Sequence, residues 1–203
     1  MNGVRFNKIC LASQSPRRAQ LLQQIGVDYD IQPAHIDESV VGGEMALEYV
    51  ERITLMKAKA IWESKDYSRE YPVLASDTAV VVDGSILGKP ESKESGLAML
   101  AELSGRKHQV ITGVGVVYDD EQSYVVSISD VQFRPLSLCE MEEYWSTGEG
   151  TDKAGCYAIQ GLAATFIESM NGSFSGVMGL PLFETAQLLE QFNVAYWPTT
   201  QTN

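Results

Sequence analysis

The 203-residue sequence is poor in cysteine and histidine, with three cysteines and two histidines. Cys10, Cys139 and Cys156 are widely spaced, and no CxxC pair or Cys/His cluster indicates a zinc site. Few, unpaired cysteines favour a reducing, cytoplasmic setting. No apolar run is long enough to span a membrane, and the run from Ile9 to Ala12 is too short for a signal peptide.

Positive charge is also scarce, because 15 Lys and Arg face 27 Asp and Glu and give a net charge of −12. This balance argues against a nucleic-acid coat protein and against a binder of anionic membranes. A polyanionic ligand must therefore bind in a local cationic pocket. Residues 1–18 are the basic exception, since they contain Arg5, Lys8, Arg17 and Arg18 and no acidic residue.

The most informative stretch is residues 9–26, which predicts a short buried strand, a polar loop and a helix. Ser15 suits the N-cap and Pro16 the first helical position. Arg17 and Arg18 are unexpected there, because a cation at a helix N-terminus costs about 0.3–1 kcal/mol. Backbone N–H groups, hydroxyls and two guanidinium groups together predict an anion site, most simply for phosphate. The chain has no Walker-type loop and no GxGxxG motif after a strand.

The remaining chain alternates helical and strand patterns, without a linker or an internal repeat. The interleaving and the Asp83-Gly84 hairpin signal favour an α/β fold with a mixed sheet flanked by helices. Helices are predicted over 46–62, 95–103, 138–145 and 182–192, and strands over 30–32, 73–82, 85–88, 109–118, 124–133 and 164–170.

Lys57 is anomalous, because it lies in the middle of the apolar stripe of its helix while Lys59 points away. A lysine head buried without a partner costs several kcal/mol. Either the side chain extends to the surface, or it points inward to a phosphate. The arginine pair favours the second interpretation.

Asp77 is anomalous because aspartate is a poor strand former and the run 73–82 is otherwise apolar. It is either hydrogen-bonded at a strand irregularity, or a general base or magnesium ligand held by the sheet. Thr78 is expected to point to the other face, since neighbouring side chains alternate along a strand.

Three further candidates are weak by themselves. Asp37-Glu38 is an acidic pair in a loop, and Lys89 is a loop lysine. Gln160 is the last residue but one of a glycine-containing stretch over 152–161, and its amide complements the O4 acceptor and N3–H donor of uracil or thymine.

These residues stand within motifs that resemble, in order, those of the Maf family of nucleoside triphosphate pyrophosphatases, also called septum formation inhibitors. The resemblance covers about residues 7–193 and implies one domain over 1–203. It implies an elongated, two-lobed fold with a central cleft, similar to the inosine triphosphatase architecture. The matching motifs are Ser13-Gln-Ser-Pro-Arg-Arg18, Ser76-Asp-Thr78, Gly88-Lys-Pro90, Leu103-Ser-Gly105, Asp152 to Gly161 and Gly179-Leu-Pro-Leu182.

The resemblance implies a role for each site residue. Asp77 is the implied catalytic residue, and a loop acid, placed at Glu38 with Asp37 as the alternative, joins it in holding a divalent metal, Mg²⁺ or Mn²⁺. Whether Asp77 acts as base or as metal ligand stays open. The implied phosphate contacts are Ser13, Arg17, Arg18, Lys57 and Lys89. The implied determinants of base choice are Arg17, Thr78 and Gln160.

The pairing of Asp77-Thr78 with Ile159-Gln160-Gly161 resembles the dTTP/UTP branch. The expected reaction converts dTTP or UTP, with modified pyrimidine nucleotides as further candidates, to the monophosphate and pyrophosphate. The alternatives are a pyrophosphatase for a methylated or other non-standard nucleotide and a non-catalytic, nucleotide-binding regulator of cell division. The resemblance also allows a homodimer. Cys156, Ala158 and the segment 173–176 depart slightly from the family pattern.

Overall fold

The computed structural model describes residues 5–197, and residues 1–4 and 198–203 of the expected 1–203 domain lie outside this range. The helices are α1 (Pro16–Gln24), α2 (Ala46–Trp62), α3 (Lys93–Leu103), α4 (Leu138–Ser146), α5 (Phe174–Met178) and α6 (Leu182–Gln191). The strands are β1 (Lys8–Leu11), β2 (Asp28–Ile31), β3 (Val73–Val82), β4 (Ser85–Leu87), β5 (Lys107–Tyr118), β6 (Glu121–Phe133) and β7 (Ile167–Asn171).

The seven strands form one sheet in the order β2-β1-β3-β5-β6-β7, with β4 also paired to β3. β1 runs parallel to β2 and β3. The neighbouring pairs β3–β5, β5–β6 and β6–β7 are antiparallel. The predicted mixed sheet flanked by helices is therefore confirmed.

One edge of β3 is only partly paired, and this gap positions the site. β5 pairs along the other edge from Val73 to Val81. On the gap side, β1 pairs with residues 73–74 and β4 with residues 80–82. Between them, residues 75–79 have no strand partner on that side within the described chain. Side chains from both faces of β3 can therefore line the same opening.

Helix α2 covers one face of the sheet and packs on β3 and β5. Two apolar clusters lie beneath it, one around Trp62 and one around Val50, and Asp77 lies in the sequence between their β3 members. Gly113 lies opposite Asp77 on β5. A Cβ there would lie 2.8 Å from Thr54 Oγ1 and 2.6 Å from Tyr124 Cε2, so glycine permits the close approach of α2.

A polar band that includes Ser76 and Thr112 crosses the opposite face of the sheet and separates two larger apolar clusters. Its hydroxyls hold α5 against the sheet by bonding backbone carbonyls. Ser76 Oγ donates to Gly179 O at 2.8 Å, and Thr112 Oγ1 donates to Gly176 O at 2.8 Å. Each buried hydroxyl is thus satisfied, which offsets the cost of placing it within the core.

Several sequence predictions need correction. Residues 162–166, expected as part of a strand over 164–170, form a 3₁₀ helix, and β7 begins only at Ile167. β2 starts two residues before the predicted 30–32, and α5 was not predicted. Ser15 occupies the N-cap position without a side-chain cap bond, and its own backbone N–H donates to Ser13 Oγ. These differences are local and leave the sheet order unaffected.

Within residues 5–197, none of the helices combines the length and the apolar character needed to cross a bilayer.

Candidate active site

A cavity of about 1190 Å³ opens at the gap beside β3. It is bounded by the loop after β1, the start of α1, the loop before α2, the turn after β4 and the segment around residue 160. The site residues expected from the sequence all line this one cavity: Ser13, Arg17, Arg18, Glu38, Lys57, Asp77, Thr78, Lys89 and Gln160. Asp37, the alternative to Glu38, does not line it.

Lys57 is held between two carboxylates at the floor of the cavity. Its Nζ lies 2.8 Å from Asp77 Oδ1 and 3.0 Å from Glu38 Oε1. The side chains of Lys57 and Asp77 are both buried, with 9% and 8% of their surface exposed, while Glu38 is more open at 38%. Lys57 thus points inward, and its partners in this structure are carboxylates.

The two carboxylate oxygens of Asp77 differ in their contacts with the described part of the chain. Oδ1 accepts from Lys57, whereas Oδ2 is buried and has no hydrogen-bond partner among the described residues. An unpartnered buried carboxylate oxygen is costly, so a ligand, water or ion is expected to bind it. Among the described residues, Oδ2 is thus the oxygen of Asp77 that the protein does not hold.

The loop that carries Glu38 is fastened to α2. Tyr49 OH donates to Glu38 O at 3.1 Å, and Arg52 donates to Ser39 O at 3.0 Å. Burial favours a higher pKa for Glu38, but the charges of Lys57, Lys89 and Arg18 outweigh it and lower that pKa overall. Asp37 instead accepts from Ser39 N at 2.9 Å and is exposed. Glu38 is therefore the loop acid that faces the cavity.

Arg18 joins three parts of the chain through its guanidinium. Nε donates to Gly179 O at 2.8 Å, one Nη donates to Ser13 Oγ at 3.3 Å and the other to Thr78 Oγ1 at 3.4 Å. Burial lowers the pKa of Arg18, and the nearby Asp77 charge counteracts this. Because a guanidinium has five N–H donors, two stay available for an anion. Gly179 accepts this contact with a φ of +116°, which favours glycine.

Arg17 faces the opposite wall of the cavity. Burial lowers its pKa, while the charges of Asp152, Tyr144 and Glu149 raise it in part. Lys89 is exposed in the turn after β4 and close enough to Glu38 to lower the pKa of that acid. The cationic side chains therefore surround the cavity from different elements.

Lys153 and Tyr49 also line the cavity, although the sequence analysis did not name them as site residues. Lys153 lines the cavity with a side chain only 16% exposed and pairs with Asp152. Its place inside a glycine-containing stretch was the available signal. Tyr49 lines the cavity and supports Glu38, but its position on α2 gave no sign of this.

The residues present fit a hard divalent cation, although the described chain has no group of three or more His, Cys, Asp or Glu side chains that could hold a metal. Asp77 and Glu38 both contact Lys57 Nζ, and Asp77 Oδ2 has no hydrogen-bond partner within residues 5–197. Mg²⁺ is commonly held by one or two carboxylates together with substrate phosphates. The donor set therefore suits a metal that arrives with a phosphate ligand.

The fold and the cavity define an α/β protein whose cleft gathers basic side chains around a buried carboxylate, as a polyanion site requires. The family model described as Maf-like protein matches residues 8–192, and the chain belongs to this family.

Three relatives, each named dTTP/UTP pyrophosphatase, match almost the whole chain. The protein of Alkalilimnicola ehrlichii is 52% identical and covers 93% of this chain and 94% of its own. The protein of Methylobacillus flagellatus is 50% identical over 98% of both chains. The protein of Pseudoalteromonas atlantica is 46% identical over 93% of this chain and 98% of its own. A solved structure, the Staphylococcus aureus Ham1 protein, matches 62% of this chain and 71% of its own, with 17% identity and a TM-score of 0.43.

Proposed function

We propose that this protein is a nucleoside triphosphate pyrophosphatase that hydrolyses dTTP and UTP to the monophosphate and pyrophosphate. Relatives at 46–52% identity over nearly the full chain carry this activity in their names. The observation that carries the proposal is structural. A buried carboxylate with one unpartnered oxygen shares a single cavity with Arg17, Arg18, Lys57 and Lys89.

The basic side chains are the electrostatic part of the mechanism. A nucleoside triphosphate brings about four negative charges, and the attack of water on the α-phosphorus adds more charge at the transition state. Arg17 and Arg18 donate from the first turn of α1, and Lys89 from the facing turn. Their positions favour binding of the triphosphate across the gap beside β3.

Asp77 is the residue that acts on the attacking water. Lys57 fixes Oδ1 and leaves Oδ2 to accept the proton of that water or to join Glu38 in holding a divalent cation. Mg²⁺ or Mn²⁺, when bound, supplies charge neutralisation at the phosphates. The water oxygen bonds to the α-phosphorus, the α–β bridging bond breaks, and pyrophosphate leaves.

Base choice belongs to the opposite part of the cavity. Gln160 is exposed there, and its amide can donate to O4 and accept from N3–H of a pyrimidine. Thr78 Oγ1 accepts from Arg18 and hydrogen-bonds with Thr112 Oγ1 at 3.1 Å, which fixes its position. Modified pyrimidine nucleotides that keep the same edge are further substrates under this proposal.

A panel of triphosphates, assayed with and without Mg²⁺ or Mn²⁺ and with pyrophosphate resolved from orthophosphate, tests this proposal. We expect metal-dependent pyrophosphate release from dTTP and UTP above that from the purine nucleotides. Preference for a methylated or other non-standard nucleotide would favour the second enzyme hypothesis. Tight binding without pyrophosphate release would favour a non-catalytic regulator and overturn the proposal.

Two further properties are part of the proposal. Cys10, Cys139 and Cys156 are all free thiols, which supports a cytoplasmic setting. A homodimer stays a prediction, and light scattering of the purified protein tests it.

A further inference from the structure

The carboxylate of Glu149 contacts the backbone that directly follows Gln160 and Gly161 in the chain. Oε2 accepts from the backbone N–H of Leu162 at 2.8 Å. Oε1 accepts from the N–H of Ala163 at 3.2 Å and from the hydroxyl of Tyr144 at 3.0 Å. The carboxylate therefore satisfies the start of the 3₁₀ helix over 162–166, whose N-cap has no side-chain bond of its own.

Gly161 makes this arrangement possible. A Cβ at that position would overlap the Glu149 carboxylate, so any other residue would push the carboxylate away from the N–H groups. Gln160 is the residue directly before Gly161, and it is itself exposed in the cavity. The orientation of its amide therefore depends on how firmly the following backbone is held.

Tyr144 extends the support into the core. Its side chain is buried, and its ring packs edge-on against Phe166 at 5.1 Å between centroids. Burial raises the pKa of Tyr144, and its hydrogen bond to Glu149 raises it further, so the hydroxyl stays a donor. The carboxylate thus links a rigid aromatic group to the backbone on the C-terminal side of Gln160.

We propose that Glu149 is a positioning residue that fixes the backbone beyond Gln160 and so sets the discrimination between pyrimidine and purine nucleotides. The inference rests on the proposed function and deepens it. A carboxylate that only capped the 3₁₀ helix would affect stability and act equally on all substrates. A positioning carboxylate changes the ratio between substrates.

Glu149→Gln keeps the size of the side chain but replaces one acceptor oxygen with an NH₂ group that faces an N–H donor. We expect the ratio of kcat/KM for UTP to kcat/KM for GTP to fall about tenfold. A change of this size corresponds to the interaction free energy that residues in contact usually show. The matched control is Glu142→Gln, which removes the same charge from an exposed side chain on α4 whose pair with Lys93 is 3.8 Å long. This control is expected to keep the wild-type ratio.

A double-mutant cycle makes the test specific. In a Gln160→Ala background, Glu149→Gln should change the UTP-to-GTP ratio no further, because the group that it positions is gone. Tyr144→Phe removes one contact of the carboxylate and should lower the ratio in the same direction, which covers the case in which Glu149→Gln folds poorly. An equal loss on UTP and GTP, or a full effect in the Gln160→Ala background, would overturn the inference.

Calorimetric binding of UTP and GTP to the same variants is the second readout. If the wild-type protein releases no pyrophosphate, the proposed activity fails, and the binding ratio still tests Glu149. If the wild-type protein is active but the ratio does not respond to Glu149→Gln, only the positioning role fails.

Discussion

The ammonium group of Lys57 lies 2.8 Å from Oδ1 of Asp77, with both side chains buried between α2 and β3. The pair joins a residue of α2 to a residue of β3 that lies 20 positions further along the chain, and it stands at the incompletely paired edge of β3. A buried ion pair seldom gains stability over apolar packing, yet loss of one partner is expensive. The pair therefore acts to hold the Asp77 carboxylate in one orientation while its second oxygen stays free.

Replacement of Lys57 by methionine should destabilise the fold by about 3–5 kcal/mol, because Asp77 and Glu38 are left as neighbouring carboxylates without their cation. Urea unfolding measures this change. Lys59→Met on the exposed side of the same helix should change the free energy of unfolding by less than about 0.5 kcal/mol. Mg²⁺ should stabilise the Lys57 variant more than the wild type. Equal stability of the two variants would contradict the importance of the pair.

Asp77→Asn should lower kcat by at least about 10²–10⁴-fold, since the amide can neither take a proton from water nor bind a metal as strongly. Nucleotide affinity should change far less, because every basic side chain of the cavity is retained. Pyrophosphate release and calorimetry measure the two effects separately. The control is Asp83→Asn in the exposed β3–β4 turn, where a φ of 49° suits asparagine. A near wild-type rate in Asp77→Asn would refute the assignment.

The sequence predicted some elements to the residue because their signals are local. The apolar periodicity of 46–62 and the β-branched run 73–82 followed by Asp83-Gly84 depend on neighbouring residues, and α2 and β3 match them. The missed helix α5 has a different origin. Backbone carbonyls of this helix and of its C-terminal end accept hydrogen bonds from hydroxyls on distant strands, such as those of Ser76 and Thr112. A short stretch of sequence around the helix does not contain these partners.

The site was predictable in membership and not in geometry. The residues that the motifs identified all line one cavity, although their chemical roles stay predictions. The helical phase of Lys57 left two directions open and the arginine pair favoured the inward one, but its contacts with Asp77 and Glu38 depend on the register of α2 against β3. Likewise, the anchoring of Arg18 on Gly179 joins residues 161 positions apart. Sequence patterns carry no distance of this kind.

His108 should make the stability of the protein depend on pH between about 6.5 and 4. Burial lowers the pKa of this imidazole to about 4. Between these values the unfolded chain binds a proton that the folded state excludes, so the free energy of unfolding falls as the pH falls. The full effect amounts to about 3 kcal/mol.

The comparison of His108→Gln with wild type isolates this contribution. The variant should lose less stability than the wild type as the pH is lowered from 6.5 to 4, as measured by urea unfolding at each pH. His35→Gln, at an exposed position, is the matched control for the loss of an imidazole. NMR titration of the wild-type His108 ring gives an independent value, and a midpoint near 6.5 would contradict the prediction.

Arg17 and Arg18 are adjacent, but their substitution by lysine should have different consequences. Lys cannot donate at once to Gly179 O, Ser13 Oγ and Thr78 Oγ1, so Arg18→Lys should lower the free energy of unfolding by about 1.5–3 kcal/mol. Arg17 is directed to the far wall of the cavity, and Arg17→Lys should alter stability by less than about 0.5 kcal/mol. Both variants should reduce kcat/KM for UTP about tenfold or more, because each loses about one charge-assisted contact with the triphosphate. Measured in parallel, equal stability losses would show that Arg18 is no more anchored than Arg17, and the triphosphate would then be its principal partner.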